Sequence, residues 1–124
     1  MIEIINPAWL SVIVDGGRYG NADVGVPNSA ALDQFAYNIL NYLVGNETGA
    51  PALEVMGNEF SVKLDCATMC AITGAQVTAY LDEEPITPWA SFAVHKGGIL
   101  RVKEVVEGFR YYVGFSGLMD ADRV

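Results

Sequence analysis

The feature that most constrains the fold is a succession of short strand-like segments, one near the start of the chain and the others after Pro51. Residues 60–64 alternate apolar and polar side chains, which is the pattern of a half-buried strand. Glycine, proline or acidic residues separate this segment from the others of its kind. Those others are residues 9–14, 69–73, 77–81, 91–95, 99–102 and 109–115. About seven short strands at such spacing predict a mainly β fold, a barrel or a sandwich that is closed or nearly closed.

Two turns in this region are predicted from their residue types. The segment DEEP at residues 82–85 predicts an acidic hairpin tip. The segment KGG at residues 96–98 predicts a hairpin that joins the strands on either side of it, because glycine adopts positive φ without strain. Gly74 is expected to end a strand and to leave room for a ligand to approach the main chain.

One prominent helix is predicted, over about residues 29–44. Its apolar residues form one stripe at helical spacing. They are Leu32, Phe35, Ala36, Ile39, Leu40 and Leu43. Asn28 or Ser29 can cap the N-terminus, and Asp33 favours the positive end of the helix dipole. Gly45 is expected to end the helix, because a helix end often needs the left-handed conformation.

The composition excludes several classes of protein. Hydrophobic residues make up 52% of the 124 residues and charged residues 18%, the opposite of the balance in a disordered chain. The net charge of −8 argues against a nucleic-acid partner. No apolar run approaches the roughly 18–20 residues that span a bilayer, and the first six residues, with an acid at Glu3 and no basic side chain, are not typical of a signal peptide. We therefore expect one cytoplasmic domain over residues 1–124, with no membrane partner.

The cysteine and histidine content predicts no metal site. Cys66 and Cys70 are four residues apart, too far along a strand for an unstrained disulfide, and are expected to stay reduced. His95 is the only histidine, and it is expected to face solvent beside the turn at residues 96–98. These three side chains do not have the spacing of a zinc site.

Four side chains and one backbone segment have the chemistry of a binding or catalytic site. Arg18 lies in a glycine-dense loop that could bind a carboxylate or phosphate, although a plain turn with a surface arginine is the alternative. Asp15 precedes a Gly-Gly turn and Asp33 lies near the helix start, so each could have a purely local role. Glu54 stands in an apolar strand and must be paired or protonated if it faces inward. The segment at residues 73–75 offers backbone N–H groups.

A set of short motifs follows in order along nearly the whole chain. They are SVIVDGGRYG (residues 11–20), GVPNSAALD (25–33), NYLVGN (41–46), ALEV (52–55), AITGA (71–75), PW (88–89) and FRYYVGFSG (109–117). In sequence and spacing, these motifs resemble the N-terminal half of the family of KipA and the 5-oxoprolinase C subunit, which is also called allophanate hydrolase subunit 2-like. The chain also resembles part of the carboxyltransferase region of biotin-dependent urea carboxylase.

The resemblance implies a cyclophilin-like β-barrel and a reaction at an amide or lactam. That reaction would be the ATP-dependent opening of 5-oxoproline to glutamate, a hydrolase activity, or carboxyl transfer to urea. ATP is implied as a cofactor shared with a partner protein, and biotin only for carboxyl transfer. The implied partner is a KipI-like protein, the counterpart of the 5-oxoprolinase B subunit. Because family members continue into a second half, the chain is expected to lack that C-terminal half and to be inactive without it.

The resemblance also implies a set of site residues. The implied catalytic residues are Asp15, Arg18 and Glu54. The implied substrate-binding residues are Ser29, Asp33, Thr73 and Gly74. Arg18 would hold an anionic group through two parallel hydrogen bonds, and Asp15 or Glu54 would orient that arginine or accept a proton. The backbone of residues 73–75 would donate hydrogen bonds to a developing oxyanion.

Two other functions are compatible with the same sequence. KipA-type proteins antagonise a kinase inhibitor by binding it, so the chain could be a non-catalytic regulatory module that binds a KipI-like protein. Alternatively, it could be a degenerate fragment kept only as a folding unit. Such a fragment would expose an apolar patch and self-associate.

Overall fold

The fold is mainly β, as the sequence predicts. The computed structural model describes residues 2–15 and 31–117, and within them it has eight strands and one helix. The strands are β1 (Ile2–Pro7), β2 (Leu10–Val14), β3 (Ala52–Met56), β4 (Phe60–Leu64), β5 (Thr68–Leu81), β6 (Glu84–Pro85), β7 (Phe92–Val94) and β8 (Ile99–Phe115). Helix α1 (Gln34–Val44) lies between β2 and β3. None of the helical structure in the described ranges is long and apolar enough to cross a membrane.

A long antiparallel ribbon of β5 and β8 organises the sheet. Strand β8 pairs with β5 along one edge, from Leu100 to Phe115. Its other edge pairs with β4 near its start and with β3 near its end, so the strand order is β1-β4-β8-β3-β2. Strands β6 and β7 pair with β5. Because one strand serves two groups of neighbours, the sheet curls into a half-barrel around its core.

The two faces of this curled sheet bury different sets of side chains. One face holds the larger apolar core, which includes Phe60, Ile72 and Tyr111, all fully buried. Helix α1 covers the other face, where Leu40 packs with Ala71 and Tyr112. Successive residues of a strand point to opposite faces, so neighbours such as Tyr111 and Tyr112 belong to different cores.

Several predicted strands join into longer ones. The segments at 69–73 and 77–81 are parts of β5, and those at 99–102 and 109–115 are parts of β8. The prediction that Gly74 ends a strand is therefore wrong. The chain passes through Gly74 with a positive φ of 98°, and the pairing register shifts there instead of stopping.

Of the two predicted turns, one forms a hairpin and one does not. Asp82 and Glu83 have positive φ and connect β5 to β6, as expected for a tight hairpin turn. The turn at residues 96–98 is present, with the N–H of Gly98 bonded to the carbonyl of His95. Its flanking strands do not pair with each other in the described structure, because β7 pairs with β5 while β8 continues the main ribbon.

Helix α1 begins at Gln34 and not near residue 29, so the predicted start is wrong. Asp33 is the N-cap, and its Oδ1 accepts a hydrogen bond of 3.0 Å from the N–H of Ala36. The predicted caps at residues 28 and 29 lie outside the described residues. The backbone N–H groups of Leu32 and Asp33 bond to side chains of the sheet, which draws these residues out of the helix. Gly45 ends the helix with a φ of 75°, as predicted.

The buried stripe of α1 also differs from the predicted stripe. Leu32 and Phe35 are exposed by 67% and 69%, whereas Tyr37 and Asn41 are buried. Both of these polar residues donate a side-chain hydrogen bond to the carbonyl of Ala50. An apolar pattern cannot identify such residues as buried, since their burial depends on a partner in the following loop.

Candidate functional site

An open depression with a volume of about 540 Å³ lies where the start of α1 meets the β5–β8 ribbon. Residues from three parts of the chain line it: the segment before the helix, the bulged part of β5 and the middle of β8. They are Leu32, Asp33, Gly74, Ala75, Gln76, Glu107, Gly108, Phe109 and Arg110. We call this depression the cavity, and its described lining residues include two acidic side chains and one guanidinium group.

Two glycines let the ribbon become irregular beside the cavity. A Cβ atom on Gly74 would lie 2.7 Å from the carbonyl oxygen of Arg110 and 2.9 Å from the Cα of Tyr111. A Cβ atom on Gly108 would lie 2.9 Å from the Cβ of Ala75. Gly74 is therefore needed for the close approach of two strands, and it also lines the cavity.

A row of polar side chains crosses the sheet beneath the start of the helix. Tyr112 of β8 is directly opposite Glu54 of β3 on one side and Thr73 of β5 on the other, so the three side chains point to the same face. The Tyr112 hydroxyl donates a 2.6 Å hydrogen bond to Oε2 of Glu54. Thr73 donates through Oγ1 to the carbonyl of Ala36 at 2.7 Å. This row attaches the helix to three strands.

Glu54 and Tyr112 hold the backbone that precedes the helix. The N–H of Leu32 donates to Oε2 of Glu54 at 3.1 Å, and the N–H of Asp33 donates to the Tyr112 hydroxyl at 3.0 Å. Burial, followed by the hydrogen bond to Glu54, raises the pKa of Tyr112 to about 12. The phenol is therefore protonated at neutral pH and acts as a hydrogen-bond donor to Glu54.

The guanidinium group of the cavity is partnered by Glu54. Nε of Arg110 lies 4.0 Å from Oε1 of Glu54, an ion pair whose separation is too long for a direct hydrogen bond. The side chains are 34% and 12% exposed, respectively, so water screens this pair less than it screens a fully exposed pair. Glu54 is thus paired, as expected for a carboxylate in an apolar strand.

The structure brings some of the predicted site residues together. Asp33 and Gly74 line the cavity, and Glu54 lies behind its wall. Thr73 is fully buried and its hydroxyl is bonded to α1, so that hydroxyl does not face the cavity. Asp15 follows the end of β2, three residues beyond the residue opposite Glu54, which corresponds to about 10 Å along a strand. Arg18 and Ser29 lie outside the described residues.

Two residues of this site were not identified from the sequence. Arg110 and Tyr112 are two residues apart in the aromatic-rich segment 109–115, so they share a face of β8. An arginine and a tyrosine two residues apart in a strand place two polar groups on one face, and this spacing is the sequence signal that points to them. What the sequence does not show is that this face lies against Glu54. In the described ranges, no group of three acidic, histidine or cysteine side chains could hold a metal ion.

Exposed apolar side chains border the cavity. Phe109 stands between the cavity and a smaller depression of about 270 Å³ that also contacts Trp9. In α1, two residues after the lining residue Asp33, the ring of Phe35 lies 6.2 Å from the ring of Trp89. We define the apolar rim as these exposed side chains together with Leu32, which lines the cavity. It comprises Trp9, Leu32, Phe35, Trp89 and Phe109, with exposed fractions from 41% to 80%.

The sequence matches one described protein family over most of its length. Residues 24–124 match the model of the family described as carboxyltransferase domain, subdomain A and B. The chain is 33% identical over 124 residues to the 5-oxoprolinase C subunit of Escherichia coli, covering 100% of this chain and 40% of that protein. It is also 33% identical over 123 residues to urea amidolyase of Saccharomyces cerevisiae, covering 98% of this chain and 7% of that protein.

A solved structure has the same fold. The crystal structure of the K. lactis urea amidolyase superposes with a TM-score of 0.85 at 31% sequence identity, over 94% of this chain and 7% of that protein. The chain therefore spans less than half the length of each of these similar proteins. The half-barrel and the helix that covers it recur within a much larger enzyme.

Proposed function

The chain belongs to the carboxyltransferase domain family, and we propose that it forms one wall of the substrate site in an enzyme that acts on an amide, a lactam or urea. Its homology to the 5-oxoprolinase C subunit and to urea amidolyase supports a role as a component of such an enzyme. The two compounds in the names of these relatives belong to related classes, since 5-oxoproline is a lactam, which is a cyclic amide, and urea is a diamide. The reaction proposed is hydrolysis of the lactam or carboxyl transfer to the amide.

The observation that carries this proposal is the charge composition of the cavity. Arg110 can donate hydrogen bonds to a carbonyl or carboxylate oxygen, and Asp33 and Glu107 can accept hydrogen bonds from N–H groups. An amide presents one carbonyl and at least one N–H when it is not fully substituted. A cavity with both donors and acceptors can therefore recognise both ends of the group that reacts.

Roles for the residues implied by the family resemblance remain part of the proposal. Arg18 would bind an anionic group, and Asp15 or Glu54 would orient an arginine or accept a proton. The backbone at residues 73–75 would donate to an oxyanion beside the cavity, and Ser29 would contact substrate. Gly74 supports this placement because it is one of the lining residues.

The described residues of the cavity do not by themselves suit ATP. A triphosphate needs several cationic or N–H donors, whereas the described lining residues combine one guanidinium group with two carboxylates. We therefore propose that the partner protein holds most of any ATP that the reaction uses. Biotin would take part only if the chain serves carboxyl transfer.

The proposed partners are the remainder of the family protein and a KipI-like protein, the counterpart of the 5-oxoprolinase B subunit. Exposed apolar surfaces of this kind are typical of protein interfaces, and two members of the apolar rim, Leu32 and Phe109, line the cavity. A partner on the rim would exclude water from the cavity. This arrangement would make activity depend on the assembled enzyme.

The test is ATP- and 5-oxoproline-dependent glutamate release by the assembled enzyme, with urea-dependent carboxylation measured in parallel. Arg110→Ala is expected to lower kcat/KM by roughly a hundredfold, because a charged hydrogen-bond donor to substrate is lost. Glu59→Gln is the control, since Glu59 pairs with Arg101 away from the cavity. Full activity of Arg110→Ala, or no turnover of any lactam or urea by the assembly, would contradict the proposal.

The apolar rim also favours a second candidate function, a KipA-type module that binds and antagonises a KipI-like kinase inhibitor. Co-purification with a KipI-like protein distinguishes the two functions. A regulatory module is expected to lose binding on Phe35→Ser and Phe109→Ser but to keep it on Asp15→Ala, Arg18→Ala and Arg110→Ala. Lactam turnover that depends on Arg110 would exclude a purely regulatory role.

A further inference from the structure

We propose that Glu54 and Tyr112 are positioning residues that orient Arg110 toward substrate and hold the wall of the cavity, and that Glu54 is not the proton acceptor. The inference deepens the proposed function and rests on it for the identity of the substrate. Glu54 and Tyr112 act on the cavity through hydrogen bonds to the residues that line it. Arg110 lines the cavity, whereas Glu54 and Tyr112 are not among the described residues that line it.

Oε2 of Glu54 has two donors. It accepts from the Tyr112 hydroxyl at 2.6 Å and from the N–H of Leu32 at 3.1 Å. The short separation to Tyr112 is typical of a charge-assisted O–H···O⁻ bond. A carboxylate oxygen that holds two donors is committed to them. Glu54 is also not among the described residues that line the cavity, so its role toward substrate is to position other groups.

Tyr112 connects this carboxylate to the cavity wall. Its hydroxyl accepts from the N–H of Asp33 while it donates to Glu54, so donor and acceptor functions of the phenol are both used. Leu32 and Asp33 are lining residues, and their backbone is therefore fixed by Glu54 and Tyr112 together. Asp33 in turn caps α1 through Ala36, which couples the wall to the helix.

The second oxygen of Glu54 faces Arg110. Oε1 lies 4.0 Å from Nε, the inner nitrogen of the guanidinium group. Glu54 on the Nε side leaves the opposite edge of the guanidinium group, between the two terminal nitrogens, available for substrate, and Arg110 is one of the residues that line the cavity. The terminal nitrogens can then bind a carbonyl or carboxylate oxygen in parallel. Arg110 would therefore select a planar group that presents an oxygen acceptor, such as a carbonyl or a carboxylate.

The first test uses the 124-residue chain alone and follows the arginine Nε–H signals by ¹⁵N NMR. Glu54→Gln and Tyr112→Phe are expected to speed exchange of the Arg110 Nε–H with water by roughly fivefold, because its carboxylate partner is weakened or displaced. Arg101 is an internal reference. The matched control Glu59→Gln should speed exchange at Arg101, which is bonded to Glu59, and leave Arg110 unchanged.

The second test measures the assembled enzyme. Both variants are expected to raise KM by roughly tenfold and to change kcat by less than about threefold, with the shape of the pH profile of kcat retained. If Glu54→Gln instead abolishes kcat and removes the acidic limb of that profile, Glu54 is a proton acceptor and the inference is wrong.

The outcomes separate this inference from the proposed function. Unchanged Arg110 exchange in Glu54→Gln overturns the inference whatever the enzyme does, and this isosteric variant serves if Tyr112→Phe fails to fold. If exchange at Arg110 responds but the assembled enzyme turns over no lactam or urea, the positioning role stands and the proposed function fails.

Discussion

At the scale of single residues, Tyr112 shows how one hydroxyl can serve two elements. It donates to a carboxylate of β3 and accepts from the backbone that begins the helix, while the ring is fully buried. An apolar residue of the same size would leave both partners without this bond inside the protein, at a cost of about 1–3 kcal/mol per buried group. The residue therefore contributes to the stability of the fold and to the geometry of the cavity at once.

The exposed pair of His95 and Asp82 gives a pH-dependent property at this scale. Nε2 of His95 lies 2.7 Å from Oδ2 of Asp82, and Nδ1 lies 2.9 Å from the carbonyl of Lys96. The bond to the Lys96 carbonyl, followed by the bond to Asp82, raises the pKa of His95 above 6.5. A raised pKa means that the charged pair stabilises the fold below the ordinary histidine pKa and that this contribution is lost as pH rises through the folded value.

We predict that Asp82→Asn lowers the pKa of His95, because the mutant lacks the negative charge that favours the imidazolium. The measurement is a ¹H NMR titration of the histidine ring, which is unambiguous because the chain has one histidine. Glu84→Gln, in the same hairpin, is the control. The prediction is wrong if the His95 pKa in Asp82→Asn equals that of the wild type.

At the scale of elements, the β5–β8 ribbon depends on a glycine at its irregular point. Gly74 combines a φ of 98° with the close approach of the β8 backbone, whereas Gly97 has a φ of 85° and no atom near the position of a Cβ. The two positions therefore share an unusual backbone conformation and differ in packing. The comparison separates the cost of the conformation from the cost of the contact.

We predict that Gly74→Ala lowers the free energy of unfolding by roughly 2–5 kcal/mol, because backbone strain and overpacking add. Gly97→Ala is expected to cost only about 1–2 kcal/mol, since strain alone remains. Urea unfolding followed by circular dichroism measures both. Equal losses in the two variants would show that contact with the β8 backbone contributes nothing.

At the scale of the whole molecule, two surface properties oppose each other. The net charge of −8 makes copies of the chain repel one another, while the apolar rim favours association. Salt screens the repulsion and leaves the apolar attraction, so the balance depends on ionic strength.

We predict that the chain alone binds the dye ANS and self-associates more as salt is added. Phe35→Ser combined with Phe109→Ser should reduce dye fluorescence by roughly half, because these are two of the most exposed rings of the rim. Ile5→Ser is the control, since Ile5 is half-exposed on β1 and outside the rim. Sedimentation that shows a monomer at every salt concentration would contradict the role given to the rim.

The sequence by itself determined the mainly β class, the strand at Phe60–Leu64, the acidic hairpin and the end of the helix at Gly45. These features depend on alternation and on turn residues, which act over a few neighbouring positions. The order of the motifs also indicated the family. Local patterns were sufficient for each of these conclusions.

The tertiary structure decided the start of the helix, the joining of short segments into β5 and β8, and the composition of the cavity. The helix begins at Gln34 because Glu54 and Tyr112, far away in sequence, bind the N–H groups that precede it. Arg110 belongs to the site because β3 pairs with β8 and places Glu54 beside it. Hydrogen bonds and ion pairs between distant residues depend on which strands pair, and that information is not present in any short stretch of sequence.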